Sequence, residues 1–202
     1  MSLRANWLTL ARAVLALLFA LSFRLSDVGA LAWSLALLAL MGLTDVLDGF
    51  FARRKGGGTR VGELIDSVAD GFARLTALVV FLDARLVPAW MVLLVVWRDL
   101  FSWGLRFMDL GQGRDVVHKR LSGKVNGAVQ SAAIGGTVVA LLVARGLERP
   151  EPTPVIWTLM LAGAVTSVWS TVDLARAYGE TLRRFVGLGR ERAGAVEGRE
   201  RT

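Results

Sequence analysis

The 202-residue chain contains no cysteine, one histidine, one tyrosine and four prolines. The missing thiols exclude disulfide staples, thiolate metal centres and cysteine nucleophiles. A lone histidine, His118, argues against a histidine-based triad or a multi-histidine zinc site. Charge is scarce as well, at 20% of residues where a soluble domain carries about 25%. What remains is apolar: 54% comes from A, V, I, L, M, F, W, Y and C, with 22 glycines outside that count. Mean hydropathy is +0.51. Disorder, collagen and coiled coil do not carry this apolar load. The excess of 24 Lys and Arg over 17 Asp and Glu gives a net charge of +7. In a chain this apolar, that charge points to anionic lipid headgroups rather than nucleic acid.

A transmembrane helix needs about 20 mostly apolar residues. Six stretches qualify: about Trp7–Phe23, Val28–Phe50, Val61–Leu82, Val87–Phe107, Leu121–Val143 and Val155–Tyr178. The expected fold is all-α, a polytopic membrane bundle of six transmembrane helices. The first stretch follows Arg4 as a signal peptide would, but Arg12 interrupts it and five more follow, so it reads as a retained helix. Arg53, Arg54, Lys55 and Arg60 crowd one connection and Arg114, Lys119 and Arg120 another, while six arginines fill the tail. Positive-inside bias places both termini and the Gly-rich loop in the cytoplasm. The organisation expected is a membrane domain over residues 1–178 and a basic cytoplasmic tail over 179–202. No solenoid repeat and no second soluble domain are visible.

Charges within a span are costly and by default mark a functional site. Here they cluster. Asp45, Asp48, Gly49 and Ala52 fall at i, i+3, i+4 and i+7, one stripe of a helix. Glu63, Asp66, Asp70 and Arg74 form a second stripe on the next helix. As neighbours joined by a short loop, the two helices can face these stripes together, bringing four Asp carboxylates into one volume. Such carboxylates repel unless a cation intervenes, and all-oxygen ligation selects Mg²⁺ or Mn²⁺. Gly49 and Ala52 leave space beside the acids, Gly56–Gly58 let the loop backbone approach a ligand, and Thr59 adds a hydroxyl. Arg53 supplies a planar cation for phosphate oxygens. Together these residues describe a metal–diphosphate site. Two alternatives stay open on residue types alone: structural ion pairs with Arg74, Arg98 and Arg12, or a cation pathway through a small transporter.

Asp45 to Asp70 reads D-x2-D-G-x2-A-R-x8-G-x3-D-x3-D, filled by Asp45, Asp48, Gly49, Ala52, Arg53, Gly62, Asp66 and Asp70. This resembles the signature of the CDP-alcohol phosphotransferases. The resemblance implies a phosphatidyl group passing from CDP-diacylglycerol to an alcohol hydroxyl with CMP leaving, at the cytoplasmic face of a multi-pass cell-membrane protein of the bacterial inner-membrane kind. It implies two Mg²⁺ or Mn²⁺ ions on Asp45, Asp48, Asp66 and Asp70, with Asp70 as the base. Nucleotide and diphosphate contacts would fall to Gly49, Ala52, Arg53, Thr59 and Gly62. Asn6 and Thr9, in the N-W-L-T run, would touch the nucleotide from the first helix. A homodimer is implied by the same analogy.

Later motifs bear on the acceptor. W-R-D-L-F-S-W-G-L-R (Trp97 to Arg106) and S-G-K-V-N-G-A-V-Q (Ser122 to Gln130) resemble phosphatidylglycerophosphate synthases at Arg98, Leu105, Arg106, Gly123, Lys124 and Gln130. They depart at Asp99, Asn126 and Gly127. Cardiolipin synthases of the superfamily agree better at Asp99 and Asn126, and inositol-phosphate enzymes share the G-G-G-T loop. The first expectation is glycerol 3-phosphate, bound with help from Arg98, Arg106 and Lys124; phosphatidylglycerol and inositol phosphate are the alternatives. The stripe Lys124, Gly127, Ala128, Ser131 and Gly135 is expected to be a helix–helix interface with only Lys124 reaching the site. His118 and the seven tryptophans read as interfacial or packing residues.

Overall fold

The computed structural model describes residues 3–54, 60–111 and 121–179, and side chains at 11–44, 62, 64–111 and 121–179. Six α-helices account for nearly all of them: α1 (Leu3–Ser22), α2 (Val28–Arg54), α3 (Arg60–Asp83), α4 (Ala89–Gly111), α5 (Leu121–Gly146) and α6 (Thr153–Ala177). The described residues contain no strand. Each helix follows one of the six apolar runs, and local chemistry fixes the ends. The Asp27 side chain accepts the Gly29 N–H at 2.8 Å and so caps α2. α3 closes when Leu86 N–H returns to the Phe81 carbonyl at 2.9 Å and Arg85 N–H to Leu82 at 3.0 Å. The same pattern recurs after α5, where Arg149 N–H reaches Ala144 and Glu148 N–H reaches Arg145. Both are Schellman closures, with Arg85 (φ 57°) and Glu148 (φ 51°) in the left-handed region.

The packed pairs are α1·α2, α2·α5, α5·α6, α6·α4, α4·α3 and α3·α1, with α3·α5 touching across the middle. The helices therefore close into a ring in the order α1, α2, α5, α6, α4, α3. This corrects one expectation. Among the described residues α2 and α3 are not a packed pair, although they are consecutive; α1 contacts both of them. A charge on α1, Arg12, is thereby placed against the acidic face of α3.

The interior has two halves. Toward the α1–α2, α3–α4 and α5–α6 connections it is apolar, built from Phe19, Leu31, Leu37, Ala77, Phe81, Met91, Val95, Val138, Leu141, Ile156 and Met160. Phe19, Phe23 and Phe81 cluster there with ring centroids 5.6–6.3 Å apart. Halfway along the bundle the buried faces turn polar: Arg12 on α1, Arg98, Asp99, Ser102 and Asp109 on α4, Ser122, Asn126 and Gln130 on α5, Ser167 and Ser170 on α6. The exterior carries large exposed apolar side chains, Leu21, Trp33, Trp97, Phe107, Val143 and Val165 among them. An apolar exterior around a partly polar interior is the arrangement a lipid solvent favours. α5 and α6 are long and apolar enough to cross a membrane by length and composition, while α1 and α2 contain shorter apolar segments, Ala11–Ser22 and Val28–Thr44.

Candidate active site

α3 enters the polar half with Asp66 and Asp70 one turn apart. Arg12, 2% exposed, brings its Nη1 to Asp66 Oδ1 at 3.1 Å and hydrogen-bonds Asp70 Oδ1 through the same nitrogen. Two carboxylate oxygens thus converge on one cationic nitrogen. Access differs between the two acids: the Asp66 side chain is 43% exposed and Asp70 12%. Gly62, a turn earlier, is half-buried. Of the three arginines considered as ion-pair partners of the acidic stripes, Arg12 is the one seen to reach Asp66 and Asp70.

Arg74 and Arg98 serve a different carboxylate. Asp99 is fully buried; Arg98 donates to its Oδ1 at 2.6 Å, and Arg74 approaches Oδ2 at 3.7 Å. Arg98 also donates to the Ser170 hydroxyl at 3.2–3.3 Å, tying α4 to α6. Arg74 donates through Nε to Gln130 Oε1 at 3.1 Å. Gln130 in turn donates to Ser167 at 2.9 Å and to Asn126 Oδ1 at 3.3 Å. Asn126 Oδ1 further accepts from Ser167 and Thr166 at 3.1 and 3.0 Å. The network joins four helices and is closed by packing. At Gly71 an added Cβ would collide with Trp103 Cζ2 and stand 3.2 Å from Asp99 Oδ2, so the glycine lets α3 and α4 approach this closely without displacing Trp103. Nearer the helix ends Tyr178 donates to Asp109 at 2.6 Å and Ser122 to Asp173 at 2.5 Å.

Arg98 is therefore committed to Asp99 and Ser170, whereas Arg106 is half-buried and Lys124 exposed. The small-residue stripe beginning at Lys124 is corrected. Ala128 and Ser131 are exposed, and no atom would lie within 4 Å of a Cβ at Gly127 or Gly135. The face of α5 that packs inward is Ser122, Asn126, Gln130, Ala133, Thr137 and Val138. The hub at Asp99 and the Asn126–Gln130 network escaped the sequence reading. Their trace was the four-residue spacing of Ser122, Asn126 and Gln130 opposite Ser167 and Ser170. Side chains of Asn6, Thr9, Asp45, Asp48, Gly49, Ala52 and Arg53 lie outside the described residues, as does Thr59 altogether. Among the described residues no group of three or more acidic or histidine side chains gathers.

The family model for CDP-alcohol phosphatidyltransferase matches residues 2–169, which takes in the acidic stripes, Arg12 and the Asp99 hub. The chain belongs to the CDP-alcohol phosphatidyltransferase family. That membership makes it an enzyme of this transferase class. A Yersinia pestis CDP-diacylglycerol–glycerol-3-phosphate 3-phosphatidyltransferase is 33% identical over 176 residues, 85% of this chain and 92% of the relative. A Bacillus subtilis protein of the same description is 29% identical over 133 residues, covering 66% of this chain and 68% of the relative. A probable cardiolipin synthase of Drosophila melanogaster is 31% identical over 189 residues, 85% of this chain and 53% of that longer protein.

Proposed function

We propose that this phosphatidyltransferase moves a phosphatidyl group from CDP-diacylglycerol to glycerol 3-phosphate, giving phosphatidylglycerophosphate and CMP. The observation that carries the site is the convergence of Asp66 and Asp70 on one cationic nitrogen at the accessible end of a polar interior. That convergence also fits a divalent ion, because both donors are hard carboxylate oxygens already aimed at a common positive charge. Asp66 and Asp70, with Asp45 and Asp48 of the signature, would hold two Mg²⁺ or Mn²⁺ ions. When bound, such ions neutralise charge on the diphosphate and on departing CMP.

The chain's own residues do the rest. The Asp70 carboxylate accepts the proton of the acceptor hydroxyl, whose oxygen bonds to the phosphorus bearing diacylglycerol. The phosphorus–oxygen bond to the CMP phosphate breaks, and the electron pair leaves with CMP. Arg53, Gly49, Ala52, Thr59 and Gly62 would hold the diphosphate and nucleotide, with Asn6 and Thr9 from α1. Lys124, exposed on α5, is better placed than the buried Arg98 to meet an anionic acceptor, with Arg106 half-buried on α4. The apolar exterior supports a multi-pass protein of the cell membrane, its polar half at the cytoplasmic rim, where acyl chains stay in lipid and the headgroup meets water.

Relatives described as glycerol-3-phosphate enzymes support the acceptor, and the Drosophila relative favours phosphatidylglycerol as a second reading. Purified protein in lipid nanodiscs with CDP-diacylglycerol and Mn²⁺ is expected to release CMP only when an alcohol is added, fastest with glycerol 3-phosphate. Equal or faster release with phosphatidylglycerol or inositol phosphate reassigns the acceptor; no alcohol-dependent release with any of them refutes the reading.

A further inference from the structure

We infer that Arg12 is a built-in counter-cation that competes with divalent ions for the Asp66–Asp70 pair. The inference rests on the metal reading above. Arg12 is the charge that interrupts the apolar run of α1, and it is almost fully buried although one of its partners is substantially exposed. A guanidinium this deep is expensive unless its charge is met. It is met by the same two oxygens that a hard cation would use. Each carboxylate oxygen that meets the guanidinium is thereby held ready for a cation of higher charge. Because α1 lies between α2 and α3, its arginine enters from the side of the bundle rather than from the aqueous rim. Arg12 therefore positions Asp66 and Asp70 toward one point, and divalent-ion binding must overcome its hydrogen bonds to them. It is a positioning residue, acting through the carboxylates.

Binding of Mn²⁺ to detergent-purified full-length protein, followed by the electron paramagnetic resonance signal of free Mn²⁺ without lipid substrate, tests this. Arg12→Gln is expected to bind Mn²⁺ at least tenfold more tightly than the wild type. Arg12→Lys, which keeps the charge on a shorter side chain, should fall between them; Asp70→Asn should bind more weakly. Thermal unfolding with and without Mn²⁺ adds a second readout, because a purely structural arginine would leave a gap that the ion does not close. Without divalent ions Arg12→Gln should melt below wild type, and Mn²⁺ should close that gap. Should Arg12→Gln fail to fold, the Arg12→Lys affinity decides in the same direction. Wild-type binding that is lost in Asp70→Asn but unchanged or weakened in the Arg12 variants overturns this inference and leaves the proposed function standing. Absence of Mn²⁺ binding at millimolar concentration in wild type and variants alike overturns the metal reading and this inference with it.

Discussion

Two arginine–aspartate clusters lie along α3, one helical turn apart, and they differ in access and in sign. Arg12 with Asp66 and Asp70 has formal charge −1, and Asp66 is 43% exposed. Arg74 and Arg98 with Asp99 have formal charge +1, and Asp99 is 0% exposed. The chemistry of the groups is the same, so exposure decides what each can do. A closed pair cannot exchange its partner without leaving an uncompensated charge, which costs about 3–5 kcal/mol. In the other cluster only Asp66 is open to water, so its own pairing contributes little, while Arg12, 2% exposed, must keep a partner when a cation enters. The acidic cluster is the one that an outside cation can approach, through Asp66; the basic, closed one fastens α3, α4, α5 and α6 behind it.

This contrast has consequences of decreasing size. The largest is in turnover: Asp70→Asn should lower acceptor-dependent CMP release by about 10²–10⁴-fold, the usual contribution of a positioned base. Its melting temperature should change far less than that of the next variant. Asp99→Asn removes the closed cluster's one negative charge, leaving two arginines unbalanced, and should destabilise the protein by about 3–5 kcal/mol, read as a lower midpoint in thermal or denaturant unfolding, with turnover per folded molecule much less affected than in Asp70→Asn. If the two variants exchange these phenotypes, the division of labour is reversed. The smallest expected effect is that of Gly71→Ala, whose methyl meets Trp103 between the two clusters. Overpacking of this kind costs about 1–3 kcal/mol, and an unchanged melting point would mean that Trp103 rotates away freely.

The helices and the acidic stripes are written openly in the sequence, because run length and residue spacing act locally. All six runs became helices, α1 beginning at Leu3 and α2 reaching Arg54. The order of helices around the ring is a different matter. α2 and α3 are linked by a short connection and so invite a direct pairing, yet α1 packs against both. Burial of Arg12 against Asp66 and Asp70 is a long-range complementarity that no periodicity announces. For the same reason Asp99 and Asn126 read locally as departures from an acceptor motif. Their roles as buried hubs depend on Ser167 and Ser170 arriving from α6. The stripe from Lys124 misled in the opposite direction: small residues permit close packing, but the polar face of α5 had stronger partners inside.

The most direct test is anomalous diffraction at the manganese edge from crystals of the full chain grown with Mn²⁺ and CDP-diacylglycerol. The expected result is an anomalous peak within about 2–2.5 Å of oxygens from both Asp66 and Asp70, with Arg12 no longer bonded to both. A peak at Asp99, or none near α3 while Arg12 still bridges the two aspartates, would contradict the assignment of the open cluster as the site of phosphatidyl transfer.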